Sequence, residues 1–119
     1  MTDAAHIADR YIAVWNETDP ARRDALLAED WSADATYVDP LMAGTGREEI
    51  GALIGAVHAR FPGFRFTRTG TADGYGDKVR FSWALGPRVE PDMIKGTDFI
   101  TVNEGRLQSV TGFIDKAPA

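Results

Sequence analysis

The segment 94-IKGTDFITVNEGRLQSVTGFID-115 predicts two antiparallel strands joined by a tight turn. Apolar and polar residues alternate over 94–102 and again over 107–115, which is the period of a strand with one buried face. Between them, Asn103-Glu104-Gly105 is typical of a short hairpin connection. This end of the chain therefore predicts a sheet built from consecutive strands.

The preceding residues extend the same sheet. Residues 79–85 alternate cleanly, and another strand begins at Phe64 before a turn-rich segment over 69–77. Residues 86–92 contain two prolines and predict the next turn. A shorter strand over 35–39, rich in β-branched and aromatic residues, stands apart from these and ends before Pro40.

Apolar spacing in the first half of the chain predicts helices. The first helix has Thr2 or Asp3 as its N-cap. Asp19 followed by Pro20 begins the second, with a capping side chain and then proline in the first helical position. The apolar residues assigned to these two helices are Ile7, Tyr11, Val14 and Trp15, then Leu26, Leu27 and Trp31.

A third helix is predicted over residues 47–61, after a loop over 41–46. Thr45 and Glu48 have the spacing of a capping box. Its apolar stripe consists of Ile50, Leu53, Ile54, Val57 and Phe61. Helices followed by antiparallel strands indicate an α+β fold, in which three N-terminal helices pack on one face of a curved antiparallel sheet and form a half-open cone. The 119 residues form one domain.

Composition excludes several classes of function. Eighteen acidic and thirteen basic side chains give a net charge of −5, which argues against nucleic acid as a partner. The chain has no cysteine, and two histidines, His6 and His58, are too few for a zinc site. No segment predicts a signal peptide or a membrane span. We therefore expect a cytoplasmic protein that uses neither metal nor cofactor.

Asp98 is the polar residue that fits the predicted core least well. It shares its strand face with Ile94, Gly96, Ile100 and Val102. A buried carboxylate is costly, so it must find a partner or take up a proton. The alternatives are an Asp98 paired with Arg or Lys, and an Asp98 that faces solvent.

Tyr11 and Asp39 are two further candidates. Tyr11 lies on the apolar stripe of the first helix, and its alternative role is a core tyrosine bonded to a backbone carbonyl. Asp39 ends a strand immediately before Pro40, and its alternative role is that of a turn-forming residue.

Short motifs along nearly the whole chain occur in an order known from one superfamily. They are Arg10-Tyr11-Ile12-Ala13, Asp34-Ala35-Thr36-Tyr37-Val38-Asp39-Pro40, Thr97-Asp98-Phe99, Asn103, Gly105-Arg106, Ser109-Val110 and Gly112-Phe113-Ile114-Asp115. With these motifs the chain resembles the ketosteroid isomerase and SnoaL-like branch of the NTF2-like superfamily. The resemblance implies the cone-shaped NTF2-like barrel as the fold.

The resemblance also implies roles for the three candidates. Asp39 would be the base that moves a proton, while Tyr11 and a protonated Asp98 would donate hydrogen bonds to a substrate oxyanion. A carboxylic acid kept neutral by an apolar site is the known logic of the isomerases. No cofactor is implied.

Two classes of function follow from the residues and the resemblance together. One is an isomerase or cyclase that moves a proton next to a carbonyl in a small apolar or aromatic molecule. The other is a non-catalytic ligand-binding or dimerisation module with the same pocket. A homodimer is expected from the resemblance and from sheet faces that bear Trp. An epoxide hydrolase of the limonene type is disfavoured, because no Asp is followed two places later by Arg.

Overall fold

The computed structural model describes residues 3–118 and has three helices, α1 Ala4–Asn16, α2 Pro20–Asp30 and α3 Gly46–Arg60. The Asp3 carboxylate accepts from the His6 amide at 3.1 Å and caps α1, while Thr2 lies outside the described residues. The Asp19 carboxylate caps α2, accepting from the Arg22 amide at 2.9 Å. Local side-chain chemistry thus sets the start of the first two helices.

The start of α3 differs from the prediction. Thr45 occupies the N-cap position but makes no side-chain capping bond, so the capping box with Glu48 is wrong. Instead the Thr45 amide donates to Glu49 Oε1 at 2.9 Å. The helix buries Ile50 and Ile54, in agreement with the predicted stripe.

Six strands form one mixed, curved and unclosed sheet. Their bounds are β1 Trp31–Val38, β2 Ala43–Thr45, β3 Arg65–Tyr75, β4 Lys78–Gly86, β5 Ile94–Asn103 and β6 Arg106–Lys116. The spatial order is β2-β1-β6-β5-β4-β3. The β1–β6 ladder is parallel, and it joins the first strand of the chain to the last one. The other ladders in this sheet are antiparallel, as predicted.

Trp31 was predicted on the second helix, and that prediction is wrong. Helix α2 ends at Asp30, and Trp31 opens β1 opposite Leu107 of β6. The backbone of Trp31 therefore pairs with a residue 76 positions later in the chain. Local helical spacing does not reveal such a distant partner. Strand β1 begins four residues before the predicted strand, and its ladder to β6 shifts in register between Trp31 and Thr36.

Two segments predicted as loop or turn contain strand. Residues 43–45 within the predicted loop 41–46 pair with β1 as the short strand β2. The predicted turn-rich segment 69–77 is mostly the second half of β3, where the ladder to β4 shifts between Thr69 and Asp73. Gly70 lies at this irregularity with a φ of 71°, a conformation that glycine adopts without strain.

The core lies between the helices and the inner face of the sheet. Helix α1 packs on β3 and β4, α3 packs on β1, and α2 packs on α3. Trp15, Trp31 and Trp83 are all buried in this core, so they do not form an exposed face for a partner. The homodimer stays a prediction. Within residues 3–118 no helix combines the length and apolar character needed to cross a membrane.

Candidate functional site

Asp98 occupies the inner face of β5, as its position in the alternation predicts. It is 2% exposed, and its flanking residues on that face, Gly96 and Ile100, are also buried, whereas Phe99 points outward. None of the ion pairs found within residues 3–118 involves Asp98. Asp98 is therefore neither salt-bridged nor open to solvent.

The environment of Asp98 favours its neutral form. The pKa of Asp98 is raised from 3.8 to about 6: burial is the largest cause, the polar groups of Tyr11 and Trp83 lower the pKa, and the charges of Asp39 and Asp115 raise it. The Trp83 indole N–H and Asp98 Oδ1 are buried without a well-aligned hydrogen bond among the described residues.

Tyr11 projects from α1 into the same region and is 3% exposed. Its ring stacks on Trp31 at 5.9 Å between centroids and meets Phe81 edge-on at 5.2 Å. Burial, and next the charge of Asp98, raise the pKa of the Tyr11 hydroxyl well above its ordinary value. Of the side chains that act on this hydroxyl, Asp98 has the strongest effect on its pKa, followed by Tyr37 and Asp39.

Asp39 is half-buried at the end of β1, where its carboxylate takes part both in a turn and in the candidate site. Its Oδ1 atom accepts from the amides of Leu41 and Met42 at 2.7 and 2.9 Å, which closes a turn around Pro40. Its Oδ2 atom accepts from the Tyr37 hydroxyl at 2.6 Å. The turn-forming role is therefore real, and it leaves the carboxylate fixed in one orientation.

Gly112 on β6 brings Asp39 and Asp98 together. A Cβ atom at residue 112 would lie 2.9 Å from Asp98 Oδ1 and 3.2 Å from Asp39 Cβ. Asp98 and Gly112 are direct partners in the β5–β6 ladder. The missing side chain of Gly112 thus allows both aspartates to approach the same point on the inner face of the sheet.

Tyr37 is a residue of this site that the sequence reasoning missed. Its side chain is 5% exposed and links Asp39 to the interior. Burial, and next the charge of Asp98, raise the pKa of the Tyr37 hydroxyl far above its ordinary value. Its position in the sequence could have identified Tyr37, because it lies two residues before Asp39 and therefore on the same face of the strand.

Two surface clefts lie away from these residues. A cleft of about 520 Å³ crosses β3 to β6 beside Arg80, Phe99 and Thr101. Another of about 580 Å³ lies between α2 and α3 beside Arg23 and Arg47. Neither is lined by Tyr11, Asp39 or Asp98, so the pocket for a small ligand stays a prediction.

Comparison with known proteins finds similar sequences and structures in one domain family. Residues 8–110 match the model of the SnoaL-like domain. A protein of the SnoaL-like family from Agrobacterium tumefaciens, designated an isomerase, is 46% identical, with a TM-score of 0.92 over 97% of this chain and 99% of that one. No curated protein sequence matches this chain significantly.

More distant solved structures share the fold alone. A protein from Kribbella flavida designated a ketosteroid isomerase is 23% identical, with a TM-score of 0.71 over 96% of this chain and 78% of that one. A protein from Sinorhizobium meliloti designated a polyketide cyclase is 17% identical, with a TM-score of 0.72 over 90% and 93%.

Proposed function

This chain belongs to the SnoaL-like domain family, and from that premise we propose that it binds a small apolar or aromatic carbonyl compound and moves a proton at the carbon next to the carbonyl, as an isomerase or cyclase does. The observation that carries the proposal is the convergence of Asp39 and Asp98 on Gly112. The Asp39 carboxyl is half-buried and is oriented by its hydrogen bonds, and the Asp98 carboxyl is buried beside the phenol of Tyr11.

The two carboxyls suit different roles. The Asp39 carboxylate takes the proton from carbon, and the electron pair of that C–H bond forms the C=C bond of an enolate. The displaced carbonyl electrons collect on oxygen, which accepts hydrogen bonds from the Tyr11 hydroxyl and from the protonated Asp98. General base catalysis of this kind contributes roughly 10²–10⁴-fold to a rate.

We propose that a ligand reaches the buried pair, Tyr11 and Asp98, by movement of the turn that follows Asp39. Tyr11 and Asp98 are almost fully covered, whereas Leu41 in the turn after Asp39 is 85% exposed. An apolar ligand that replaces the solvent around Leu41 would gain the burial of that side chain. We place the entry for the ligand at this turn.

The proposal is tested by proton exchange at carbon. 2-Tetralone, an aromatic ketone with acidic hydrogens next to its carbonyl, is incubated with the protein in D₂O, and deuterium incorporation is followed by NMR. We expect the wild-type protein to accelerate incorporation and Asp39→Asn to lose that acceleration. The control is Asp34→Asn, which removes an exposed carboxylate from the same strand.

A second candidate is a binding module without chemistry. The observation in its favour is that Asp39 already accepts three hydrogen bonds, two of them from the turn that it closes. Under this alternative tetralone binds, as measured by calorimetry, but its hydrogens exchange no faster than in buffer. Equal exchange rates for the wild type and buffer would therefore overturn the enzyme proposal.

A further inference from the structure

The ionised Asp39 carboxyl offers about four lone pairs to hydrogen-bond donors, and its surroundings fill all but one of them. Its Oδ1 atom accepts from the amides of Leu41 and Met42 at 2.7 and 2.9 Å, so both lone pairs of this oxygen are used. Its Oδ2 atom accepts from the Tyr37 hydroxyl at 2.6 Å. No further hydrogen bond reaches this side chain from residues 3–118. One lone pair of Oδ2 is therefore left to take a proton.

The Tyr37 side chain that fills the neighbouring lone pair is itself held in place. It is 5% exposed, and its ring packs on the Trp15 ring at 5.4 Å between centroids. The backbone carbonyl of Trp15 in turn accepts from His58 Nε2 on α3 at 2.7 Å. Burial, as the largest cause, raises the pKa of the Tyr37 hydroxyl far above its ordinary value, so this group remains a donor to Asp39.

We propose that Tyr37 is a positioning residue for the base: its hydroxyl fills one lone pair of Asp39 Oδ2, fixes the plane of the carboxylate and leaves a single basic position. The inference rests on the proposed function, in which Asp39 takes a proton from carbon. Tyr37 acts on the reaction through Asp39, and neither the Asp-Pro motif nor the fold indicates this role.

The two bonds to Oδ1 do not fix the carboxylate without Tyr37. The group could still tilt about Oδ1, which would move Oδ2, the atom that is left to act as the base. A third bond at the other oxygen prevents this tilt. Proton transfer from carbon requires aligned reacting atoms, and a misplacement of about 1 Å can lower a rate roughly 100-fold.

The same hydroxyl also affects the basicity of Asp39, and this effect has the opposite sign. A hydrogen bond to an ionised carboxylate favours the ionised form, so removal of the Tyr37 hydroxyl makes Asp39 a stronger base. If basicity alone decided the rate, Tyr37→Phe would accelerate proton abstraction. A positioning role predicts slower abstraction, so the direction of the change separates the two effects.

The kinetic test is deuterium exchange of 2-tetralone by Tyr37→Phe, which keeps the ring and removes the hydroxyl. We expect kcat to fall roughly 10–100-fold, while KM changes by less than about twofold. The acid side of the pH–rate profile should move to higher pH, because Asp39 then holds its proton more tightly. The alkaline side, set by Asp98 with its pKa of about 6, should stay in place. Partial unfolding alone would lower the rate and move neither side.

A second test needs no substrate. In protein labelled with ¹⁵N, the amide signals of Leu41 and Met42 report the orientation of the carboxylate that they bind. We expect both signals to move in Tyr37→Phe. Tyr75→Phe is the matched control, because Tyr75 is 79% exposed on β3, and it should leave both signals and kcat unchanged.

Unmoved amide signals, or an equal or higher kcat, in Tyr37→Phe would overturn the proposal. If that variant does not fold, 3-fluorotyrosine at residue 37 keeps the ring and donates more strongly. The Leu41 and Met42 signals should then move as well, and unmoved signals would again overturn the proposal. If the wild type itself does not accelerate exchange, the proposed function fails, and the amide signals alone decide whether Tyr37 positions Asp39.

Discussion

Asp98 lies directly opposite Gly112 in the β5–β6 ladder, with its Oδ1 atom 2.9 Å from the position that a Cβ would take at residue 112. Asp39 Cβ lies 3.2 Å from that position, so the same glycine borders both carboxyl-bearing side chains. A side chain at residue 112 would therefore meet both aspartates.

Replacing this glycine should disturb both acids. In Gly112→Ala the added methyl group meets Asp98 Oδ1 at less than the usual contact distance, so a side chain or the strand must shift. We expect a loss of about 1–3 kcal/mol in the free energy of unfolding, measured with urea. Thr111→Ala, on the exposed face of the same strand, is the control and should cost less. Unchanged stability in Gly112→Ala would show that the site is looser than the structure indicates.

Asp98 should make the protein less stable as the pH rises. Its pKa is about 6 in the folded protein and 3.8 without the fold, so between these values the folded state binds more protons than the unfolded state. Its contribution to stability is complete below pH 3.8 and is lost as the pH rises through 6. The loss amounts to about 3 kcal/mol at most.

Asp98→Asn should therefore flatten this part of the pH–stability curve. The measurement is the urea midpoint at intervals across this pH range, with Asp34→Asn as the control for removal of an exposed carboxylate. If the Asp98→Asn variant and the wild type lose stability in parallel, Asp98 does not bind its proton more tightly when the protein folds.

Tyr37 should contribute to stability through its bond to Asp39. Tyr37→Phe removes a donor at 2.6 Å from a carboxylate and leaves the ring packed against Trp15. A hydrogen bond to a charged group contributes about 1.5–3 kcal/mol, and because Asp39 is half-exposed we expect a loss of about 1–2 kcal/mol. Tyr75→Phe should change the urea midpoint very little. Equal urea midpoints for Tyr37→Phe and Tyr75→Phe would mean that water replaces the Tyr37 hydroxyl without loss of stability.

The parts of the fold that depend on local spacing were predictable from sequence. The alternation along β5 placed Asp98 on the inner face, and Asp19 before Pro20 marked the start of α2. Side-chain period and capping chemistry act within a few residues, so one sequence is enough to show them. The packing of the three helices on the sheet follows from the apolar faces that this spacing defines.

The features that depend on distant partners were not predictable in the same way. Trp31 belongs to β1 because Leu107 pairs with it, and residues 43–45 become a strand only because β1 offers them an edge. The role of Tyr37 depends on its bond to an Asp39 carboxylate that the following turn orients, and local spacing does not show this bond. The approach of Asp39 to Asp98 depends on the register of Gly112 across two ladders, which no local pattern shows.

The central claim, that Asp39 is a base facing an oxyanion site made by Tyr11 and Asp98, is tested most directly by calorimetric titration of phenols. A phenol imitates the enolate, and Asn at residue 39 imitates the protonated base while its Oδ1 can still accept from Leu41 and Met42. Removing an anion beside an anionic ligand should tighten binding to Asp39→Asn by roughly one to a few kcal/mol over wild type. Asp34→Asn should bind like wild type. Phenols that bind neither protein, or both equally, would contradict the claim.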